Sequence, residues 1–472
     1  MSTVLLEPTD VLFFRDAIPM SAGQGKGAGC RMPFPSTLHE AFRTSLLLVN
    51  GSTPQNKEQL GRPKKAIRSG NWHNQQWAAE DRCYIASKAF SSLRTAGPLP
   101  FLVGPFAWKE MEIGQHTGLQ VTYDGLLLPV PLDIAFYRDE SKQPDEPRRL
   151  TRLKLWRDPS VNSGGAKEAG SIKPLCLPVA TTPPDKHGQL HGWWTVAQYR
   201  AYLGGESDNT NDRFRSLPTD ELWQSEHRIG VEINPASFAA AEGQLYAGSF
   251  LRAHAHTRFA AQLELGDARA ATNGEAGQIS NLDWLLLGGE RRLARVWQKQ
   301  VDNQPLPDFF ADLKTPPAPP AADGPCLLKW VLVTPAIFAH GNLPGWCWND
   351  TDGLPVGQVR LGASQRKADR TALPGHAHLV SWCLGRPLTV SGWDVVEQRA
   401  KPTQLAVPAG SVFYFLCENR PTAVTLAARL HWQPRSDHYG EKGCGYGLCS
   451  FAVETHATSP DVRALAKELF NH

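Results

Sequence analysis

Only nine cysteines occur in 472 residues, and they form no CxxC pair and keep no regular spacing. That pattern points to neither a disulfide framework nor a zinc knuckle, and a reducing cytoplasm is the expected compartment. Long apolar runs are missing too: no stretch approaches the ~18 residues that a membrane-spanning helix needs. The opening MSTVLLEPTDVLFF has acidic residues and a proline where a secretory leader would carry a basic head and an unbroken apolar run, so no leader is expected. The two signs of charge nearly balance. With 49 Lys plus Arg against 46 Asp plus Glu, the net charge of +3 does not make the whole surface a trap for polyanions. Any nucleic-acid binding must be local.

What is present points to a globular, strand-rich chain. A hydrophobic content of 41% over this length is ample for two cores, in two large domains or in one domain with long insertions. Fifteen tryptophans and 37 prolines favour short strands and fixed turns over a helical bundle.

The chain opens as a strand over Thr3 to Leu6, a turn at Pro8 to Asp10, a second extended piece over Val11 to Arg15, and a glycine-rich loop. Thr37 and Glu40 then make a T-x-x-E capping box that predicts a helix start. Leu38, Ala41, Phe42, Ser45, Leu46 and Val49 recur at helical spacing and give that helix one buried face. Residues 50–80 and 139–190 are polar and rich in turn formers, and read as insertions. Between them lie short strand-like runs, Gly125 to Pro131 and Asp133 to Tyr137. A ladder of strands is expected from Arg228 onward, through QLYAGSFLRAHAHTRFAAQLEL and LDWLLLGGERRLARVWQ. The Pro/Ala-rich stretch 302–325 is the best linker, dividing a unit of residues 1–301 from one of 326–472. The second unit offers CLLKWVLVTPAIF, HLVSWCLG, LTVSGWD and SVFYFLC as strands, then the loop KGCGYGLCSF. A closing helix, DVRALAKELF, turns Val462, Leu465, Ala466 and Leu469 inward.

Several segments, in order, resemble the family of third subunits of the Cmr complex, the type III-B CRISPR effector, within the RAMP superfamily. They are EPTDVLFFRD, PFPSTLHEAFRTSLL, EHRIGVEINPASFAAAEGQLYAGSFLR, LGGERR, VTPAIF, SGWD, AVPAGSVFYF and the GCGYG loop. Together they cover most of residues 1–50 and 226–455. The resemblance implies an α+β chain of two ferredoxin-like domains, akin to RNA-recognition modules, with long insertions and glycine-rich loops facing a cleft. It implies no cofactor. It further implies a non-catalytic subunit that grips the five-prime handle of the guide RNA and bridges the large polymerase-like subunit to the first backbone subunit. Target RNA would be met only indirectly, with cutting and signalling left to those partners.

Read for chemistry, Gly25 and Gly27 bracket Lys26, and Arg31 follows. Close backbone approach by such glycines, with Ser36 and Thr37 at a helix start, makes a cradle for phosphate, although a plain surface loop has the same composition. The missing Lys-Ser/Thr pair after the last glycine argues against a nucleotide hydrolase. Lys442, Gly443, Gly445, Tyr446 and Gly447 form a second loop, in which Tyr446 would stack a base or, alternatively, pack into the core beneath a tight turn. Arg15 at a strand end could bind phosphate bidentately or pair with Asp16 or Glu7, and Arg43 sits between the two faces of the first helix. Arg148, Arg149, Arg152, Lys154 and Arg157 give a basic ribbon without an acid, suited to RNA, to an acidic partner, or to a solvated strand edge.

Histidines offer two pairs, His254 with His256 and His376 with His378, but no third ligand is assignable, so structural roles are expected and no metal. His39, on the first helix, is the single candidate for a metal-independent RAMP endoribonuclease, and it lacks an acid/base partner. Cys444 and Cys449 read as packing residues. A third possibility is a carbohydrate-binding protein whose tryptophans stack on sugars. No membrane contact is expected.

Overall fold

The computed structural model describes residues 2–14, 26–27, 32–49, 94–102, 125–137, 149–157, 174–179, 192–205, 214, 216–264, 282–299, 305–319, 324–347, 358–360, 372–394, 399–451 and 460–470. The mixed α/β chain is rich in strands, gathered into one large sheet, one of medium size and several small ones.

The first half supplies β1 (Ser2–Pro8), β2 (Lys26–Gly27), α1 (Pro35–Val49), β3 (Arg94–Leu102), β4 (Gly125–Pro129) and β5 (Ile134–Tyr137). These are followed by β6 (Arg149–Arg152), β7 (Lys154–Arg157), β8 (Cys176–Val179), β9 (Trp193–Thr195), α2 (Val196–Leu203) and β10 (Trp223–Ile233). Next come β11 (Ala240–Ala253), β12 (Thr257–Glu264), β13 (Trp284–Leu286), β14 (Leu293–Trp297) and the helical turn α3 (Ala311–Lys314). The second half adds β15 (Cys326–Leu332), β16 (Ala377–Cys383), β17 (Leu388–Val390), β18 (Trp393–Asp394), β19 (Arg399–Ala400) and β20 (Gln404–Ala406). It ends with β21 (Val412–Cys417), α4 (Arg420–Leu430), β22 (Gly447–Phe451) and α5 (Pro460–Phe470).

The large sheet runs β13-β14-β1-β12-β3-β4-β9. In β1 the residues Val4 and Leu6 point to one face and Leu5 to the other, and all are buried, because strand alternation exposes a central strand to both layers. The outer face meets α1 through Leu38, Ala41, Phe42 and Leu46, the helical stripe read from the sequence. The second-half sheet runs β16-β21-β15-β22 with every neighbour antiparallel. Its outer face is covered by α4 through Ala423, Leu426, Ala427 and Leu430. The inward faces of the two sheets contribute to a single cluster, with Leu5, Leu99, Leu128 and Ala260 from one and Leu327, Val331, Val412 and Tyr414 from the other. The order of layers is therefore helix, sheet, sheet, helix, and the central core belongs to both halves.

A buried polar knot crosses that core. Asp133 accepts hydrogen bonds from Tyr202 Oη at 2.6 Å, Tyr414 Oη at 2.8 Å and Lys329 Nζ at 3.1 Å. Lys329 also lies 4.0 Å from the centre of the Tyr202 ring. Two members come from each half.

Three local readings differ from what forms. The first helix starts at Pro35, two residues before the Thr37 box, since proline suits the first helical position and Thr37 already donates its N–H to Phe34 O at 2.9 Å. The basic stretch 148–157 is not one ribbon. Its first part, β6, pairs with β5, while β7 pairs with β8. The Pro/Ala-rich stretch, where described at 305–319, is anchored: Phe310 and Leu313 are buried in the shared core, and His431 Nε2 donates to Leu313 O at 2.7 Å.

Candidate nucleic-acid interface

A cleft of about 510 Å³ opens where α1 meets three turns from distant parts of the chain. Ser36, Thr37 and Glu40 line it from the first turns of α1, Gly288 and Gly289 from the turn between β13 and β14, Ser391 and Lys401 from the β17–β20 region, and Tyr439 and Lys442 from the segment before β22. Phe13, Phe14 and Phe34 give it apolar walls. Gly288 has φ +83°, and a Cβ there would fall 2.4 Å from Phe13 O. Glycine is thus required for the turn to close on the strand beside it, where Gly289 N donates to Phe13 O at 2.7 Å.

The charge in the cleft centres on Glu40. Its Oε1 lies 2.5 Å from Lys442 Nζ and 3.7 Å from His39 Nδ1, and its Oε2 lies 3.4 Å from Arg43 Nη1. Burial pushes the Glu40 carboxyl up, but the neighbouring His39, the hydrogen bond from Lys442 and the charges of Lys442 and Arg43 outweigh it and hold the group well below the ordinary carboxylate range. Lys442 also stands 5.1 Å from the centre of the Tyr439 ring. Glu40 is the acidic centre of a basic cluster at the open end of a helix whose first turn contains no carboxylate. Pro35 has no N–H and those of Thr37 and Leu38 bond to Phe34 O, so the Ser36 N–H is the donor of that turn left to a ligand. An anionic group is the ligand class that such a cleft suits.

The structure brings Ser36, Thr37 and Lys442 together in this cleft and joins Arg43 to them through Glu40. Lys26 and Gly27 form β2, which pairs in parallel with Ala247 and Gly248 of β11. Arg15, Gly25, Arg31 and Arg148 lie outside the described residues, and Arg149 and Arg152 are described only through the backbone of β6. Lys154 is exposed, whereas Arg157 is paired with Glu468 of α5 and so holds that helix against β7.

The second glycine loop turns inward. Gly445 has φ +78°, and a Cβ there would fall 2.2 Å from Ser436 N; at Gly447 a Cβ would fall 2.3 Å from Trp330 Nε1. Gly443, at φ +98°, closes the turn that carries Lys442. These glycines permit protein backbone to approach protein, not phosphate. Tyr446 is 2% exposed and packs its ring 5.5 Å from that of Trp432, so in this conformation it offers no face to a base. Of its two readings, packing beneath the turn is the one the structure adopts.

His39 is buried on the packing face of α1. His254 Nε2 bonds to Asp220 O at 2.8 Å, His376 Nδ1 to Gln358 Nε2 at 2.9 Å, and His378 packs on Phe470. Among the described residues no group of three or more His, Cys, Asp or Glu is placed to hold a metal ion. Cys444 and Cys449 are buried. Trp194, Trp223, Trp330 and Trp432 are core residues, which removes them as sugar platforms.

Sequence reasoning passed over Glu40 as a binding-site residue, along with Gly288, Gly289, Lys401 and Tyr439. Glu40 carried a local signal as a capping-box residue, and the Gly288-Gly289 pair as a turn. The others meet through contacts between halves, which spacing along the chain does not encode.

A family model described as "CRISPR-associated protein (Cas_Cmr3)" matches residues 4–453. No curated protein matches the chain. Among solved structures, a chain of the type III-B Cmr-beta complex bound to cognate target RNA and AMPPnP, state 1, is 12% identical with a TM-score of 0.36, over 87% of this chain and 86% of that one. A chain of the type III-B Cmr-beta complex bound to cognate target RNA is 11% identical with a TM-score of 0.36, over 87% and 86%. A chain of the Csm3-Csm4 subcomplex of the type III-A interference complex is 11% identical with a TM-score of 0.28, over 89% and 94%.

Proposed function

The chain belongs to the Cas_Cmr3 family of CRISPR-associated proteins, and from that premise we propose that it is the effector subunit that grips the five-prime handle of the guide RNA. In this reading it bridges the large polymerase-like subunit and the first backbone subunit, meets target RNA only through the guide, and acts in the cytoplasm without catalysing a reaction. The observation that carries the reading is the cleft in which the start of α1, the Gly288-Gly289 turn and Lys442 converge. Phosphate can be met there by the Ser36 N–H and by a lysine already held in place, and Phe34 and Tyr439, both partly exposed, can meet a base.

Strand order supports two ferredoxin-like domains, residues 1–301 and 326–472. Within the large sheet β14-β1-β12-β3, and in the second sheet β22-β15-β21-β16, the spatial order is fourth, first, third, second, with antiparallel neighbours throughout. A helix follows the first strand in one half (α1) and the third strand in the other (α4).

The test uses the assembled complex at physiological salt, loaded with guides carrying a native or a scrambled handle. Tighter binding of the native handle is expected, and equal affinity would leave only generic RNA adhesion. Absence of catalysis is supported by the burial of His39 in the α1 packing face. Replacement of His39 by Gln should leave guide maturation and target cleavage by the complex unchanged; loss of either with RNA binding intact would make His39 catalytic.

A further inference from the structure

Beyond the cleft, one part of the surface combines an exposed aromatic ring with unneutralised positive charge. Trp284, on the edge strand β13, is 47% exposed, and its register partner across β14 is Arg295, which is exposed as well. The Arg295 guanidinium lies 3.9 Å from the centre of the Trp297 ring, and among the described residues it meets no carboxylate. Glu7, the nearest acid in register, is occupied: it accepts from Trp297 Nε1 at 2.5 Å and pairs with Arg258 at 3.2 Å. Lys299, two residues beyond Trp297, is exposed.

The position of this group relative to the cleft follows from strand geometry. Leu286 lines the cleft. Trp284 precedes it by two residues on the same edge strand, so it lies about 7 Å farther along that edge, on the sheet face opposite the one where Leu285 meets α1. We propose that Trp284 and Arg295 form a stacking platform for one base of single-stranded RNA leaving the cleft. This rests on the cleft binding RNA, and it adds residues to which the glycine loops gave no clue. Two flat surfaces serve it: the indole of Trp284 and the guanidinium of Arg295, whose plane is supported from beneath by Trp297. Base stacking on an aromatic ring or an arginine plane tolerates any base but favours large ones, and the cation beside it suits a chain of phosphates. An apolar protein partner would suit Trp284 and the exposed Leu293 but would have to desolvate Arg295 without an acid to receive it.

The experiment measures binding of the full chain to oligoadenylate and oligouridylate, comparing wild type with Trp284→Ala, Trp284→Phe, Arg295→Ala and Lys442→Ala. Because Trp284 and Arg295 are exposed and Lys442 is partly exposed, all four variants should fold, as judged by circular dichroism. Trp284→Ala should lose at least about 5-fold in affinity for oligoadenylate, the lower end of what one stacked base contributes, and less for oligouridylate. Trp284→Phe should retain most of the affinity, and Arg295→Ala should lose a similar amount. Unchanged binding by Trp284→Ala, with Lys442→Ala weakened, would overturn the platform and leave the cleft reading standing. If Lys442→Ala also bound like wild type, the cleft reading itself would fail and the platform with it. Loss of association with other effector subunits, without loss of RNA affinity, would make Trp284 a protein contact and overturn the proposal.

Discussion

Glu40 and Lys442 stand 402 positions apart in the chain and 2.5 Å apart in the fold. A phosphate entering the cleft competes with this carboxylate for Lys442 and Arg43. Glu40→Gln should therefore tighten RNA binding and steepen its salt dependence, while Lys442→Ala should lower the slope of log affinity against log salt by ~0.7, one contact's worth for a single strand. Filter binding across a salt series measures both. Weaker binding by Glu40→Gln would show that Glu40 contacts RNA instead of restraining its cations. Gly445 behaves differently from what its loop suggests. A side chain there collides with Ser436 and must adopt a left-handed conformation, so Gly445→Val should lower Tm sharply whether or not RNA is present. A variant with native Tm and weakened RNA binding would restore Gly445 to the interface. Lys442 was legible from its place beside a glycine loop. Tyr446 shows the limit of that reasoning, since composition alone does not say which side of a turn faces water.

At the scale of elements, amphipathic periodicity was the reliable guide. It identified α1 and α5, and Val462, Leu465 and Ala466 are buried as the spacing predicts. The strands of the ladder, β10 to β12 and β13 to β14, also form as alternation and turn residues predict, although β10 begins at Trp223, before the expected Arg228. Two helices went unread although each carries a start signal. In α2, Thr195 and Gln198 complete a capping box; in α4, the Asn419 side chain accepts from Thr422 N at 3.0 Å and Pro421 occupies the first turn. The β-branched residues in RPTAVTLAARL mask its helical period. Asn419→Ala should cost about 1 kcal/mol of stability, the usual worth of such a cap, measurable by urea denaturation. A loss near zero would mean that packing of Leu426 and Leu430 alone holds α4.

For the whole molecule, the shared core and the Asp133 knot make the halves dependent on each other. A single lysine inside the apolar run CLLKWVL was the trace of this knot in the sequence, but its partner, Asp133, lies 196 residues away. Burial alone would raise the Asp133 carboxyl, yet the charge of Lys329 and the hydroxyls of Tyr202 and Tyr414 hold it below its ordinary 3.8. Its contribution to stability is thus complete above that value and lost as pH falls through the lower folded value. Asp133→Asn strands a buried lysine and should cost about 3–5 kcal/mol. If both halves then still melted in one transition with little change in Tm, the knot would be dispensable.

A second acid-side loss begins higher. Burial, reinforced by His376, pushes His378 down to about 4, and burial also lowers His431 despite its bond to Leu313. Between pH 6.5 and about 4 the unfolded chain binds a proton at His378 that the folded chain refuses, so stability falls as pH drops across that window. His378→Gln should flatten the decline, and an unaltered profile would assign it to other groups.

In the proposed function the guide's handle lies in the cleft between the start of α1 and Lys442. The most direct measurement is photo-cross-linking of a handle carrying 4-thiouridine at successive positions in the assembled complex, followed by mapping of the attached peptides. Cross-links on this chain should concentrate at residues 34–44, 286–289 and 439–442, and should fade in Lys442→Ala. Handle cross-links that fall elsewhere on the chain, or only on its partners, would contradict the claim.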